Sequence, residues 1–205
     1  MEPFEKDPGP EIRALSLIAA AHRQDPTLDA NGQPAELVYA DRMAAWVAKL
    51  APDGPLHLFV AARCQHLERF LTPRNTFPEG KVGYLQWRKS LYHKQAARAR
   101  ELALEAGMTE SQADDIARWV SKTDLQKDAG SQALEDAAVL VFLENEIGAF
   151  AAQHADYTRE KFVDILRKTW RKLSPTGRQH ALALDLPPTI AGLVREAVAD
   201  TSTNH

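Results

Sequence analysis

Leu56-His57-Leu58-Phe59-Val60-Ala61-Ala62-Arg63-Cys64-Gln65-His66-Leu67-Glu68-Arg69-Phe70-Leu71 is the stretch on which the fold turns. Its first half is almost continuously apolar. By periodicity alone such a run fits a buried strand or a buried helix. Its length and its two alanines favour the helix, read here as Leu56–Leu71. Upstream, Pro52-Asp53-Gly54-Pro55 breaks the chain. Before that break Leu37, Val38, Met43, Trp46, Val47 and Leu50 recur at helical spacing, which predicts a helix over Ala35–Leu50. Asn31-Gly32 marks a turn. Asp25-Pro26 ends a first helix, Glu11–Gln24, because the residue before proline is pushed out of the helical region.

Downstream the pattern stays helical. Thr72–Val82, with Pro73, Pro78 and Gly80, reads as a loop into a long helix, Gly83–Ala106, stopped by Gly107. Thr109-Glu110-Ser111-Gln112 fits an N-cap with glutamine at the third helical position, opening a helix to about Lys122. Leu125–Gly130 is a polar connection. Ser131–Gln153 carries the most apolar face, through Leu134, Val139, Leu140, Phe142, Leu143, Ile147 and Phe150. Thr158 caps the next helix. Ser174-Pro175 begins another, with proline at its first position. Pro187-Pro188 precedes a last amphipathic helix, Thr189–Ala199. No alternating strand pattern and no fixed-period repeat is present, and no stretch is long or polar enough for a linker. The expectation is one all-α domain of eight or nine helices, ordered over about residues 11–199, with a frayed Thr201–His205 tail.

Composition narrows the class. With 44% hydrophobic and 26% charged residues the chain is neither disordered nor collagen-like. One cysteine, Cys64, excludes a disulfide framework and any multi-cysteine metal site, and fits a reducing compartment such as the cytoplasm. The start, MEPFEKDPGP, is charged and proline-broken, unlike a signal peptide. The longest apolar run, Ala137–Leu143, is too short to span a bilayer, so no membrane is expected.

The net charge of −3 gives no global field for nucleic acid, which is not expected as a partner. Yet Ala61–Arg100 holds nine basic residues against two acids, a local +7. Local basicity in an otherwise acidic chain points to a small anionic or phosphorylated ligand. Solvated basic helix faces are the plain alternative.

Histidine is the usual metal ligand and proton carrier near neutral pH. Of seven, His22, His154 and His180 sit among polar neighbours and read as surface residues; His205 is terminal, and His57 begins a helix. His66 and His93 stand in the basic region. Leu134-Glu135-Asp136-Ala137-Ala138 opens an apolar helix with two acids. A carboxylate entering a core must be paired, hydrogen-bonded or metal-bound; an acid complementing the helix dipole is the alternative. Cys64, in an apolar run, reads as a structural thiol. The basic segment Arg167–Lys172 reads as a helix end. The sequence contains no Walker A loop, no G-x-G-x-x-G, no G-x-S-x-G and no H-E-x-x-H.

Two resemblances follow. The segments Glu36-Leu37-Val38-Tyr39-Ala40, Arg63-Cys64-Gln65-His66-Leu67-Glu68-Arg69, Gly83-Tyr84-Leu85-Gln86-Trp87-Arg88, Gln132-Ala133-Leu134-Glu135-Asp136 and Lys168-Thr169-Trp170-Arg171-Lys172-Leu173-Ser174 resemble the family catalogued as domain of unknown function 4202. More distantly, the order of motifs is similar to HD-domain phosphohydrolases, all-helical proteins that hold one or two divalent metals. On that pattern Tyr39 stands at the first histidine, Gln65 at the histidine of the His-Asp pair and His66 at its aspartate. His93 and Lys122 stand at later histidines, and Asp136 at the closing aspartate. The resemblance implies an HD-like core but departs from it at Tyr39, Gln65 and Lys122. Glutamine is a poor transition-metal ligand, and an ammonium repels a cation.

His66, His93 and Asp136 remain as candidate catalytic residues. They could hold one divalent metal, form a metal-free relay with Asp136 orienting a histidine, or be a buried polar cluster. Around them Arg63, Arg69, Arg74, Arg88 and Lys122 are candidate anion holders, with Tyr39, Gln65, Trp87 and Glu135 completing the set. His66 and Arg69 share a face if the helix continues through them. Arg88 and His93 are offset by about 140°, which puts Arg88 at the rim. The leading expectation is an HD-like hydrolase for a small phosphorylated or nucleotide-like ligand. The alternatives are an inactive HD-like anion- or nucleotide-binding protein and a protein–protein adaptor.

Overall fold

The 56–71 stretch begins as a helix and does not finish as one. In the computed structural model, which describes residues 7–123 and 127–199, the helix covers Leu56–Arg63. The chain then turns through Cys64 and Gln65, and His66 (φ 60°) and Glu68 (φ 52°) take left-handed backbone conformations. A short 3-10 turn, Arg69–Leu71, follows. The expectation of one continuous helix is corrected here, and with it the helical reason for pairing His66 with Arg69. The tail Thr201–His205, the first six residues and part of the Leu125–Gly130 connection lie outside the described residues.

Among the described residues the chain is all-helical, with ten α-helices where eight or nine were expected. They are α1 (Pro10–His22), α2 (Ala35–Leu50), α3 (Leu56–Arg63), α4 (Gly80–Glu105), α5 (Glu110–Val120), α6 (Ala129–Val141), α7 (Ile147–Gln153), α8 (Arg159–Trp170), α9 (Pro175–Leu182) and α10 (Pro188–Ala199). The extra helix arises because the predicted 131–153 element is interrupted by a π-helical turn, Phe142–Glu146. No described helix is long and apolar enough to cross a membrane.

The chain divides into two units, Met1–Ser131 and Gln132–His205. In the first, α4 packs along α5, and α3 lies against α1, α2 and α5. Ile18, Met43, Val47, Val60, Cys64, Leu67, Ile116 and Val120 are fully buried there. Burial of these side chains supplies the driving force that short helices lack by themselves. The predicted punctuation holds. Gly107, at φ 87°, reverses the chain after α4, a conformation open to glycine without steric cost. Thr109 and Gln112 form a reciprocal capping box at the start of α5.

In the second unit α8 packs on α10. Leu134, Leu140, Val141, Leu143, Ile147, Leu166 and Val163 are buried. Thr158 and Ser174 cap α8 and α9 through their hydroxyls, as the sequence predicts.

Candidate functional site

The turn after α3 carries the candidate site. Asp25, 4% exposed, accepts from the backbone N–H of Thr27 at 2.9 Å and of Glu36 at 3.1 Å, which fixes the start of α2. Glu36 in that first turn then reaches His66, with Oε2 2.9 Å from Nδ1. An ionised carboxylate only accepts, so Nδ1 carries the proton and Nε2 the lone pair. Tyr39, one helical step along from Glu36, stacks on the imidazole with ring centroids 4.0 Å apart and planes 10° from parallel.

Arg69 stands 3.2 Å from Nδ1 and 3.3 Å from Nε2 through the same Nη1. Near-equal distances to both nitrogens put it over the ring face, since an in-plane position would collide with the carbon between them. Tyr39 covers one face, so the guanidinium takes the other. Arg69 is also 3.9 Å from Glu36 and lies over the Trp87 ring, 5.0 Å from its centroid. Trp87 is itself anchored by its indole N–H, which donates to Thr72 O at 2.8 Å. Tyr39, His66, Arg69 and Trp87 thus form one layered stack, with Glu36 at its edge.

Burial holds the His66 pKa below the ordinary imidazole value. The Glu36 carboxylate opposes this, and the positive charges of Arg69 and Lys122 add to it. Lys122 is the third non-glycine residue at positive φ, 56°, and its ammonium is 5.8 Å from the Tyr92 ring centroid. Arg88 donates to the Tyr92 hydroxyl and leans on the Tyr84 and Tyr92 rings, at 5.8 and 5.5 Å. Gln65, 5% exposed, has a side-chain nitrogen with no hydrogen-bond partner. A buried unsatisfied donor of this kind is costly.

The structure therefore gathers Tyr39, His66, Arg69 and Trp87, with Lys122 within the field of His66 and Arg88 joined through Tyr92. The other predicted residues are not part of that stack. His93 is exposed on α4 and makes no hydrogen bond or ion pair among the described residues. Arg63 pairs with Asp41. Arg74 donates to Phe77 O at 3.0 Å and Pro78 O at 2.8 Å, clamping the loop into α4. His22, read from sequence as a surface residue, is fully buried, with Nε2 2.8 Å from Arg63 O. Burial lowers its pKa, while the Arg63 carbonyl opposes that shift.

The two acids of the second unit are buried and partnered. Glu135 pairs with Lys172 at 3.0 Å. Asp136 accepts from Gln132 Nε2 and Ser174 N, each at 2.9 Å, and from Ser174 Oγ at 2.5 Å. It thereby holds the cap of α9. Gly177, in the first turn of that helix, leaves the room this needs, because a Cβ there would stand 2.7 Å from Asp136 Oδ1.

Residues 12–194 match the model of a family described as domain of unknown function DUF4202. The chain belongs to that family. No curated protein and no solved structure matches it. The site of this DUF4202 chain lies within the matched residues. Among the described residues no three His, Cys, Asp or Glu side chains are grouped to hold a metal ion. At the stack the donor set is Glu36 and His66, and Arg69 already places a cation against both. A divalent metal does not fit that arrangement. Glu36, absent from the sequence-predicted set, completes the site. An acid in a first helical turn reads as a dipole complement, although its three-residue spacing from Tyr39 puts the two on one face.

Proposed function

We propose that the protein is an HD-like hydrolase for a small phosphorylated or nucleotide-like ligand, working at the Glu36–His66–Arg69 cluster. The observation that carries this reading is His66. It is held at φ 60°, bonded at Nδ1 to Glu36 and covered by a guanidinium that stands 3.3 Å from Nε2. Non-glycine residues at positive φ cost on the order of 1 kcal/mol or more each, and they cluster at functional sites. His66, Glu68 and Lys122 all adopt that conformation.

The chemistry follows from the atoms. A neutral imidazole, kept so by burial and by Arg69 and Lys122, is ready to accept a proton near neutral pH. An anionic group drawn to Arg69, Arg88 and Lys122 brings its phosphorus or carbonyl centre beside Nε2. His66 takes a proton from the attacking water. Glu36 stabilises the resulting imidazolium, which returns the proton to the leaving oxygen. The single, buried thiol of Cys64 is consistent with a reducing, cytoplasmic setting.

A second reading has its own support: ligand binding without turnover. Arg69 would bind an anion whether or not a water is activated. The test is a screen of nucleotides and sugar phosphates for turnover and for thermal stabilisation. The variants are His66→Asn, whose side chain tolerates positive φ, and Arg69→Ala. Hydrolysis that falls about 100-fold or more in His66→Asn, with stabilisation kept there and lost in Arg69→Ala, supports the enzyme. Turnover intact in His66→Asn removes it. Stabilisation without turnover in the wild type selects the binding protein.

A further inference from the structure

Beyond that reading, we propose that the outward face of the N-terminal half of α4 binds a single strand of nucleic acid. From Gly80 to Arg100 the helix carries six cations and no acid. Toward its far end the cations are matched. Arg98 pairs with Glu68 at 3.1 Å and with Glu101 at 3.2 Å, and Arg100 pairs with Asp114 at 2.7 Å and with Glu110. In the first half the pattern differs. Lys81 and Lys89 are exposed and form no ion pair among the described residues. Lys81 also stands in the first helical turn, where the helix dipole favours acids, and no acid accompanies it there. Cations kept at a cost to the helix, with no carboxylate to face, are what a polyanion would stabilise.

Aromatic rings alternate with these charges. Tyr84, Arg88, Lys81, Tyr92 and Lys89 fall within an arc of about 140° around the helix. Arg88 lies 5.8 Å from the Tyr84 ring centroid and 5.5 Å from that of Tyr92. Lys122 stands 5.8 Å from the Tyr92 centroid. Tyr84 is 43% exposed, and it leans at 44° on the buried Trp87, 5.9 Å away, so the outer ring is propped by an inner one. Tyr84 and Tyr92 are eight residues apart, about 12 Å along the axis.

That alternation selects the partner. In sequence-tolerant strand binding, bases stack on aromatic faces while phosphates meet the cations beside them. A sugar phosphate has no use for a second ring. A lipid surface calls for a band of inserting hydrocarbon, whereas Leu85 is the one exposed aliphatic side chain in the arc. A duplex keeps its bases stacked on one another and leaves Tyr84 without a partner. The net charge of −3 is no bar, since exposed charges more than about 10 Å away are screened at 0.1 M salt. The face adjoins the His66 stack through Trp87 but uses neither His66 nor Arg69, so it is independent of the hydrolase reading.

The experiment follows the anisotropy of labelled oligo(dT) and oligo(rU), each about 15 nucleotides long, on addition of the full chain. Both are expected to bind, with affinity falling steeply between about 50 and 200 mM salt. A preference for one of them identifies the sugar and supports the proposal equally. Tyr84→Ala is expected to weaken binding about tenfold and Tyr84→Phe to keep it, since stacking needs the ring and not the hydroxyl. Lys89→Glu is expected to weaken binding about tenfold and to make the salt dependence shallower. Both positions are exposed, so the fold is retained. Binding kept in His66→Asn supports the proposal whatever becomes of hydrolysis. The proposal is overturned if neither strand binds at low salt, or if Tyr84→Ala and Lys89→Glu bind as wild type does. It is also overturned if a duplex of the same length or vesicles of phosphatidylserine and phosphatidylcholine bind more tightly, or if Arg69→Ala alone abolishes binding, since that places the strand at the His66 stack.

Discussion

Glu36 and His66, thirty residues apart, meet at 2.9 Å across the turn that ends α3. This pair ties α2 to a backbone conformation that His66 would not choose alone. Glu36→Ala removes the acceptor of Nδ1 and the carboxylate facing Arg69. We expect a loss of about 1–3 kcal/mol in urea unfolding, and a smaller loss for Glu36→Gln, which can still accept a hydrogen bond. Equal midpoints for all three proteins would show that the pair does not hold the turn.

Lys122 tests backbone strain in the other direction. Its φ of 56° is a glycine conformation. Lys122→Gly is expected to leave stability unchanged or raise it by about 1 kcal/mol, while weakening any anion bound beside His66. A stability loss beyond about 1 kcal/mol would mean that the lysine is retained for its packing.

Acid should unfold the first unit by way of its histidines. His22 and His66 both have pKa values lowered from 6.5, each chiefly by burial. Glu36 from α2, Arg69 from the turn and Lys122 after α5 face His66; Glu36, Asp41 and Arg63 act on His22. The folded state keeps both rings neutral where the unfolded chain already binds protons. Their contribution is therefore complete above 6.5 and is lost as pH falls through that value toward the lower folded ones. Urea midpoints should drop between about pH 7.5 and pH 5, and His22→Gln should flatten that slope. An unchanged slope would show that His22 does not contribute to it.

Asp136 and Gly177 form a second coupled pair. Gly177→Ala brings a Cβ against Asp136, and should cost about 1–3 kcal/mol. Asp136→Ala leaves Ser174 N, Ser174 Oγ and Gln132 Nε2 without their acceptor and should cost about 3 kcal/mol. Because the first substitution acts by crowding the second residue, the double variant should lose clearly less than both losses combined. Additive losses would refute the contact.

The Cys64 thiol is fully buried, and burial pushes its pKa far up. Native protein should resist iodoacetamide at neutral pH and react once unfolded in urea, a difference read by intact mass. Rapid labelling of the native chain would show that α3 opens.

The sequence made α2 legible to the residue, because a proline stands at one end and Pro52-Asp53-Gly54-Pro55 closes the other. The α5 capping box and the Ser174-Pro175 start were legible for the same reason: caps are local chemistry. The turn at 64–68 was not. Gln65-His66-Leu67 contains no glycine, asparagine or proline, and its geometry is imposed by Glu36 and Tyr39 from a distant helix. Tyr39, His66, Arg69 and Trp87 stood out through charge density and motif resemblance. His93 enters the expected set through the basic region and the HD-like motif order, and α4, with Gln95 buried and Val82 and Leu85 exposed, presents no clean apolar stripe that would have placed it outside.

The π-helical turn at Phe142–Glu146 has a further effect on how residues 131–153 are to be read. Such a turn takes in one residue more than an α-helical turn, which advances everything after it by about 100°. Leu134 and Leu140 before it, and Ile147 after it, are all buried, yet they belong to two helical phases. A single wheel drawn across the whole stretch mixes those phases, and losing one residue from the turn would swing Ile147 off the side it now buries.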